Sequence, residues 1–131
     1  MILLDTHALI WWVEGRGRLS RAGVEAIREH APALVSPISL WELAMLVARG
    51  RIEVDREPMR WTRDLLASET VAVAELTPAA AVAAARLPDF HGDPADRFIY
   101  ATAREMRVAL VSKDAHMRAY ARRRRDVQVI W

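Results

Sequence analysis

Four carboxylates, Asp5, Glu42, Asp96 and Asp114, stand where they could act together. Asp5 and Asp114 follow short apolar runs, while Glu42 and Asp96 fall in the first turns of helical segments. Two carboxylates brought about 5 Å apart repel by roughly 3 kcal/mol at an effective dielectric near 20, so a pocket that gathers them must hold protons or a cation. Oxygen ligands alone favour a hard ion, Mg2+ or Mn2+, which keeps waters and shares its remaining positions with phosphate oxygens. Gathered in one place, these acids outline a site for phosphodiester chemistry.

Each acid also has a plainer use. Asp5 and Asp114 can each cap the helix that follows, because an aspartate oxygen satisfies an orphan amide there. In Gly92-Asp93-Pro94-Ala95-Asp96, Asp93 at the N-cap and Pro94 at the first helical position make a strong helix start, and Asp93 needs no further role. Asp96 differs, since it precedes Ile99 and Ala103 on the apolar stripe of its helix, where a carboxylate requires a partner. Glu42 lies nearly opposite the Leu40, Leu43, Ala44 and Val47 stripe, which by itself describes a solvated residue. The four histidines, His7, His30, His91 and His116, show no metal-binding spacing and read as structural or surface residues. Gly15-Arg16-Gly17 follows a helical segment, so it is not a dinucleotide-binding loop.

The elements that must position these acids are read from apolar periodicity and from Gly and Pro punctuation. Short apolar runs predict strands at Ile2 to Leu4, Ala33 to Ser36, Val71 to Leu76, Ala109 to Ser112 and Val127 to Ile130. Between them, helical patterns cover His7 to Glu14, Ser20 to His30, Ser39 to Arg49, Pro58 to Ser68, Pro78 to Arg86, Pro94 to Met106 and Ala115 to Arg123. Apolar, non-alternating strands interleaved with helices imply an α/β fold with a parallel sheet covered on both faces. Such sheets bind ligands beyond the carboxyl ends of their strands, the edge to which strand ends and following helix starts both belong. Convergence there is what separate helix caps would not require. No repeat or Gly/Ser linker interrupts residues 1–131, which are expected to form a single domain.

With no cysteine in 131 residues, disulfides, thiolate zinc sites and cysteine nucleophiles are excluded. No basic leader precedes Met-Ile-Leu-Leu-Asp and no apolar stretch approaches the length of a membrane helix, so a soluble, cytoplasmic protein is expected. The net charge of +2 is unevenly spread. Lys113, Arg118 and the run Arg122 to Arg125 make the C-terminal part cationic, which suits a solvated helix end and also a phosphate-bearing partner.

In these residues the chain resembles the PIN-domain family, specifically VapC-type toxins of toxin-antitoxin pairs. Four ordered blocks carry the resemblance: MILLDTHALIWW from Met1, SPISLWELAMLVARG from Ser36, LPDFHGDPADRFIYATA from Leu87 and LVSKD from Leu110. The resemblance implies a three-layer α/β/α sandwich around a parallel sheet. It also implies metal ligands at Asp5, Glu42, Asp96 and Asp114, with Thr6 and Ser112 as hydroxyls beside them. The implied reaction is metal-dependent (Mg2+ or Mn2+) hydrolysis of single-stranded RNA, leaving 5′-phosphate and 3′-hydroxyl ends. Asp5, Asp96 and Asp114 would bind metal, and Glu42 would complete the outer coordination or orient the attacking water. A homodimer and a cognate antitoxin that blocks the acidic pocket are implied as partners. Trp11, Trp12 and Trp41 suit either core or interface. Leu46, Asp89 and Ala95 depart from the family pattern, which commonly has lysine, proline and an aromatic there, but none is one of the acids.

Three other readings compete. A phosphoacceptor receiver domain would place an acidic pair after the first strand and an aspartate after the third, where Asp5 stands alone and Thr77 follows Leu76. A dehalogenase-type phosphatase would need aspartate at the position of His7. A PIN-fold protein that binds RNA or a partner without cutting is the third, since a fold and its acids do not by themselves guarantee turnover.

Overall fold

The computed structural model describes residues 1–131. Five strands form one all-parallel sheet: β1 (Ile2–Leu4), β2 (Ala33–Val35), β3 (Val71–Val73), β4 (Ala109–Val111) and β5 (Val129–Ile130), in the order β3-β2-β1-β4-β5. Leu3 pairs with Leu34 on one side and Leu110 on the other, so β1 occupies the centre. Seven helices connect the strands: α1 (Thr6–Glu14), α2 (Arg21–Glu29), α3 (Pro37–Ala48), α4 (Pro58–Ala67), α5 (Pro78–Ala85), α6 (Pro94–Met106) and α7 (Ala115–Arg124).

Strand alternation divides the core. Ile2, Leu4, Ala33, Val35, Val71 and Val111 point to one face, where Leu9 of α1, Ile27 of α2, Leu43 of α3 and Trp61 and Leu65 of α4 cover them. Leu3, Leu34 and Leu110 point to the other, beneath Ile99, Tyr100 and Ala103 of α6 and Met117, Tyr120 and Ala121 of α7. Because successive side chains of a strand face opposite ways and both faces are covered, all three residues of β1 are buried and the strand reads as continuously apolar. The result is the expected three-layer α/β/α sandwich. No helix is long and apolar enough to cross a membrane.

Local chemistry explains the element boundaries. Asp5, Ser20, Ser36, Thr77, Asp93 and Asp114 cap α1, α2, α3, α5, α6 and α7 through side-chain oxygens, and α3 to α6 each begin on proline, whose missing N–H costs nothing in a first turn. Ser36 therefore leaves β2 to cap α3, which starts two residues before the predicted Ser39. Glu42 consequently lies two residues further into its helix than expected, in the second turn and not the first. β3 ends at Val73, although the Ala74 N–H still donates to Val35 O at 2.8 Å before the chain leaves the sheet. Asp89 has a φ of 58°, a left-handed conformation that aspartate tolerates and proline cannot adopt.

Candidate active site

In the strand order β3-β2-β1-β4-β5 the chain first builds outward from β1 through β2 to β3, then crosses back to β4. The switch point lies between β1 and β4. Asp5 follows one of these strands and Asp114 follows the other, so the two lie on either side of the crevice where such sheets bind ligands. The Asp5 N–H still donates to Val111 O at 3.1 Å, which ties the start of α1 to β4.

Capping and site formation turn out to be compatible uses of one carboxylate. Asp5 Oδ1 accepts from the Ala8 N–H at 2.7 Å and so caps α1, while Oδ2 accepts a very short hydrogen bond from Ser112 Oγ. The same Ser112 oxygen accepts from the Asp114 N–H at 3.1 Å, and Asp114 Oδ1 caps α7 through Met117 N–H at 2.7 Å. One buried hydroxyl thus joins the two acids across the switch point. Thr6, also buried, donates to Ser39 Oγ at 3.1 Å and couples the start of α1 to α3.

Asp5, Thr6, Glu42, Asp96 and Asp114 line a common cavity of about 400 Å³ with His7, Trp11, Asp93 and Lys113. The four acids singled out in the sequence therefore come together, along with Thr6. Ser112 lies just behind them. Glu42 is half-buried and faces this cavity, so the periodicity that described it as solvated is overridden by the approach of α6. Asp93, read as a cap alone, does cap α6 by accepting from the Asp96 N–H at 3.3 Å, and adds a fifth carboxylate to the wall.

The electrostatics follow from this crowding. Burial, then the charges of Asp93, Asp114, Glu42 and Asp5, push the Asp96 carboxyl up to about 8. Burial likewise raises Asp5, against the opposing effect of its Ser112 hydrogen bond. Lys113 is the lone lysine or arginine on the cavity wall, and its ammonium lies 5.8 Å from the Trp11 ring centre. A pocket in which five acids face one lysine and an aspartate retains its proton near neutrality has the donor set and charge deficit that a hard divalent cation satisfies.

The sequence reading missed His91. Its Nε2 is sealed from solvent and lies 3.3 Å from Asp96 Oδ2, and His91, Asp96 and Asp114 offer ligand atoms within 4.8 Å of one another. It also missed Arg97, whose guanidinium donates to the carbonyls of Ala84, Leu87 and Phe90 at 3.0, 3.4 and 3.0 Å, holding the loop before α6 against that helix. Neither has a spacing signal, because both act through the folded path of residues 86–93.

The PIN domain family profile matches residues 2–123. The chain belongs to the PIN-domain family. This PIN domain is 44% identical over 121 residues to Ribonuclease VapC22 of Mycobacterium tuberculosis, with 91% of each chain covered. Its fold is shared by VapBC2 from Rickettsia felis, solved bound to a DNA fragment from the promoter, with a TM-score of 0.66 at 12% identity over 98% of this chain and 97% of that one. It is also shared by a toxin-antitoxin complex from Klebsiella pneumoniae, with a TM-score of 0.63 at 20% identity over 91% of each chain. The PIN domain's four acids lie within the matched segment.

Proposed function

We propose that this PIN domain, acting as one unit over residues 1–131, is the endoribonuclease toxin of a toxin-antitoxin pair. The observation that carries the reading is the convergence of Asp5, Glu42, Asp96 and Asp114 from four separate segments on one cavity at the sheet's carboxyl edge. Its likeness to a protein named a ribonuclease, at 44% identity, supports RNA as the substrate. Likeness to chains solved in toxin-antitoxin assemblies supports an antitoxin partner.

Asp5, Asp96 and Asp114 would hold the divalent ion, Mg2+ or Mn2+, with Glu42 at its outer edge. When bound, such an ion polarises the phosphodiester and makes water acidic enough to attack at neutral pH. The protein's own part is positional. Ser112 fixes the Asp5 carboxylate and the Asp114 amide, Thr6 locks α1 to α3, and the caps at Asp5, Asp93 and Asp114 set where three helices begin. Glu42, on the cavity wall, would complete the outer coordination or help orient the attacking water. Lys113 gives an RNA phosphate a counter-charge beside Trp11, whose half-exposed ring offers a base a surface to stack on. An antitoxin segment that enters the cavity would exclude RNA, and the free toxin would act as a homodimer in the cytoplasm.

Asp96→Asn tests the assignment, since it keeps the shape and removes the ionisable group. The variant is expected to stay folded by circular dichroism and to lose cleavage of a labelled single-stranded RNA. Wild-type cleavage by the purified variant would refute the role of Asp96.

A further inference from the structure

His91 precedes α6 in the loop that Arg97 holds, and its ring is fixed from several sides. It stacks on Phe90 with centroids 4.6 Å apart and planes 24° from parallel, and approaches His116 at 5.6 Å. Phe90 is itself buried, wedged against Tyr100 at 5.3 Å and Tyr120 at 4.9 Å, so the imidazole rests on a rigid base. Tyr120 further pins the loop by donating to Pro88 O at 2.8 Å. A ring held this way has little freedom to choose where its nitrogens point.

Nε2 points at Asp96. It is shielded from water, lies 3.3 Å from Asp96 Oδ2, and has no hydrogen bond of proper geometry. Such a nitrogen has two possible uses: its lone pair can bind a metal together with Asp96 and Asp114, or its proton can be donated to Asp96. The other ring nitrogen decides between them. Nδ1 accepts from the Asp93 N–H at 3.4 Å, which requires a lone pair on Nδ1, and a neutral imidazole with that arrangement carries its proton on Nε2.

We propose that His91 is a positioning residue that donates its Nε2–H to Asp96 Oδ2, fixing which way this carboxylate presents its oxygens to the cation in the acidic cavity. A modest rotation of the Asp96 carboxylate completes the bond from the 3.3 Å approach already present. A carboxylate anchored through one oxygen offers the other in a defined direction, and loss of such an outer hydrogen bond typically weakens metal binding by about tenfold to a hundredfold. The inference rests on the reading of the acidic cavity as a divalent-metal site.

The test is titration calorimetry of the full chain with MnCl2, comparing wild type, Asp96→Asn, His91→Phe and His91→Gln, each checked for folding by thermal unfolding in chelator. Phenylalanine keeps the stack on Phe90 and removes the donor, whereas glutamine restores an N–H near the same place. Mn2+ affinity that falls about tenfold or more in His91→Phe and is largely recovered in His91→Gln is the expected result. Unchanged affinity in His91→Phe, while Asp96→Asn abolishes binding, would overturn the role of His91 alone. Equal loss in both His91 variants, with a nitrogen-ligand absorption signature in Co2+-loaded wild type that both lack, would overturn it in favour of direct ligation. Absence of Mn2+ binding by the wild type would remove the metal reading and this inference with it.

Discussion

Asp96 concentrates the chemistry of the cavity in one titration. Its folded-state pKa near 8 stands above the ordinary aspartate value near 4, because burial and four neighbouring acids disfavour the charge. Between those two values the folded chain binds the proton that the unfolded chain has released, so raising the pH favours unfolding. The stabilising contribution of a protonated Asp96 is complete below about pH 4 and lost as pH rises through about 8. In chelator, the melting temperature is expected to fall across that window, and Asp96→Asn to flatten the fall, with a residual slope from Asp5, which is raised in the same direction. A pH-independent difference between wild type and Asp96→Asn, followed by differential scanning fluorimetry, would contradict this. At this scale the sequence was legible where types alone suffice: acids on strand ends and a carboxylate on an apolar stripe. Whether Asp5 was a cap or a site residue was not legible, because the answer depends on its two oxygens going separate ways. His91 was invisible because its link to Asp96 runs through the turn capped by Asp93, and not along a helix face.

Two elements carry the site's geometry and its reach. The loop from Ala85 to α6 is closed by Arg97, which ties three carbonyls and lies 5.7 Å from the Phe90 ring centre. Arg97→Ala is expected to cost roughly 1.5–3 kcal/mol in urea unfolding, the scale of hydrogen bonds to a charged group, and to weaken Mn2+ binding as Asp96 and His91 lose their frame. A stability loss without any change in Mn2+ binding would separate the loop from the site. The arginine run has a different place. α7 begins at the acidic cavity and rises about 1.5 Å per residue, so Arg122 to Arg125 lie about 10 to 15 Å along it, at the helix end whose dipole they complement. Neutralising all four is expected to flatten the salt dependence of binding to a long RNA by releasing fewer counterions, while cleavage of a short oligonucleotide persists. An unchanged salt slope would leave the run a solvated helix end. Helix positions were legible from proline and cap residues to within a few residues. The start of α3 was not, because Ser36 and Ser39 are both plausible caps and only the proline between them, at the first helical position, favours Ser36.

Across the whole molecule, a parallel sheet with helices on both faces leaves one edge where strand ends and helix starts meet, and a switch in winding direction opens a crevice there. That arrangement converts four acids spread from position 5 to position 114 into neighbours. The layer architecture was legible from alternating apolar runs and helical patterns, since both strand faces had to be covered. The strand order, and with it the placement of Asp5 and Asp114 on either side of the crevice, was not, because it depends on which crossover packs each helix on which face. The central claim is that the gathered acids hold the ion that supports RNA hydrolysis. Its most direct test is cleavage of a labelled single-stranded RNA pool by wild type and Asp5→Ala across a Mn2+ titration, with chelator as the zero point. Cleavage is expected to rise with Mn2+, to vanish in chelator and to be absent in a folded Asp5→Ala. Cleavage by wild type that persists in chelator, or by Asp5→Ala at the wild-type Mn2+ dependence, would contradict it.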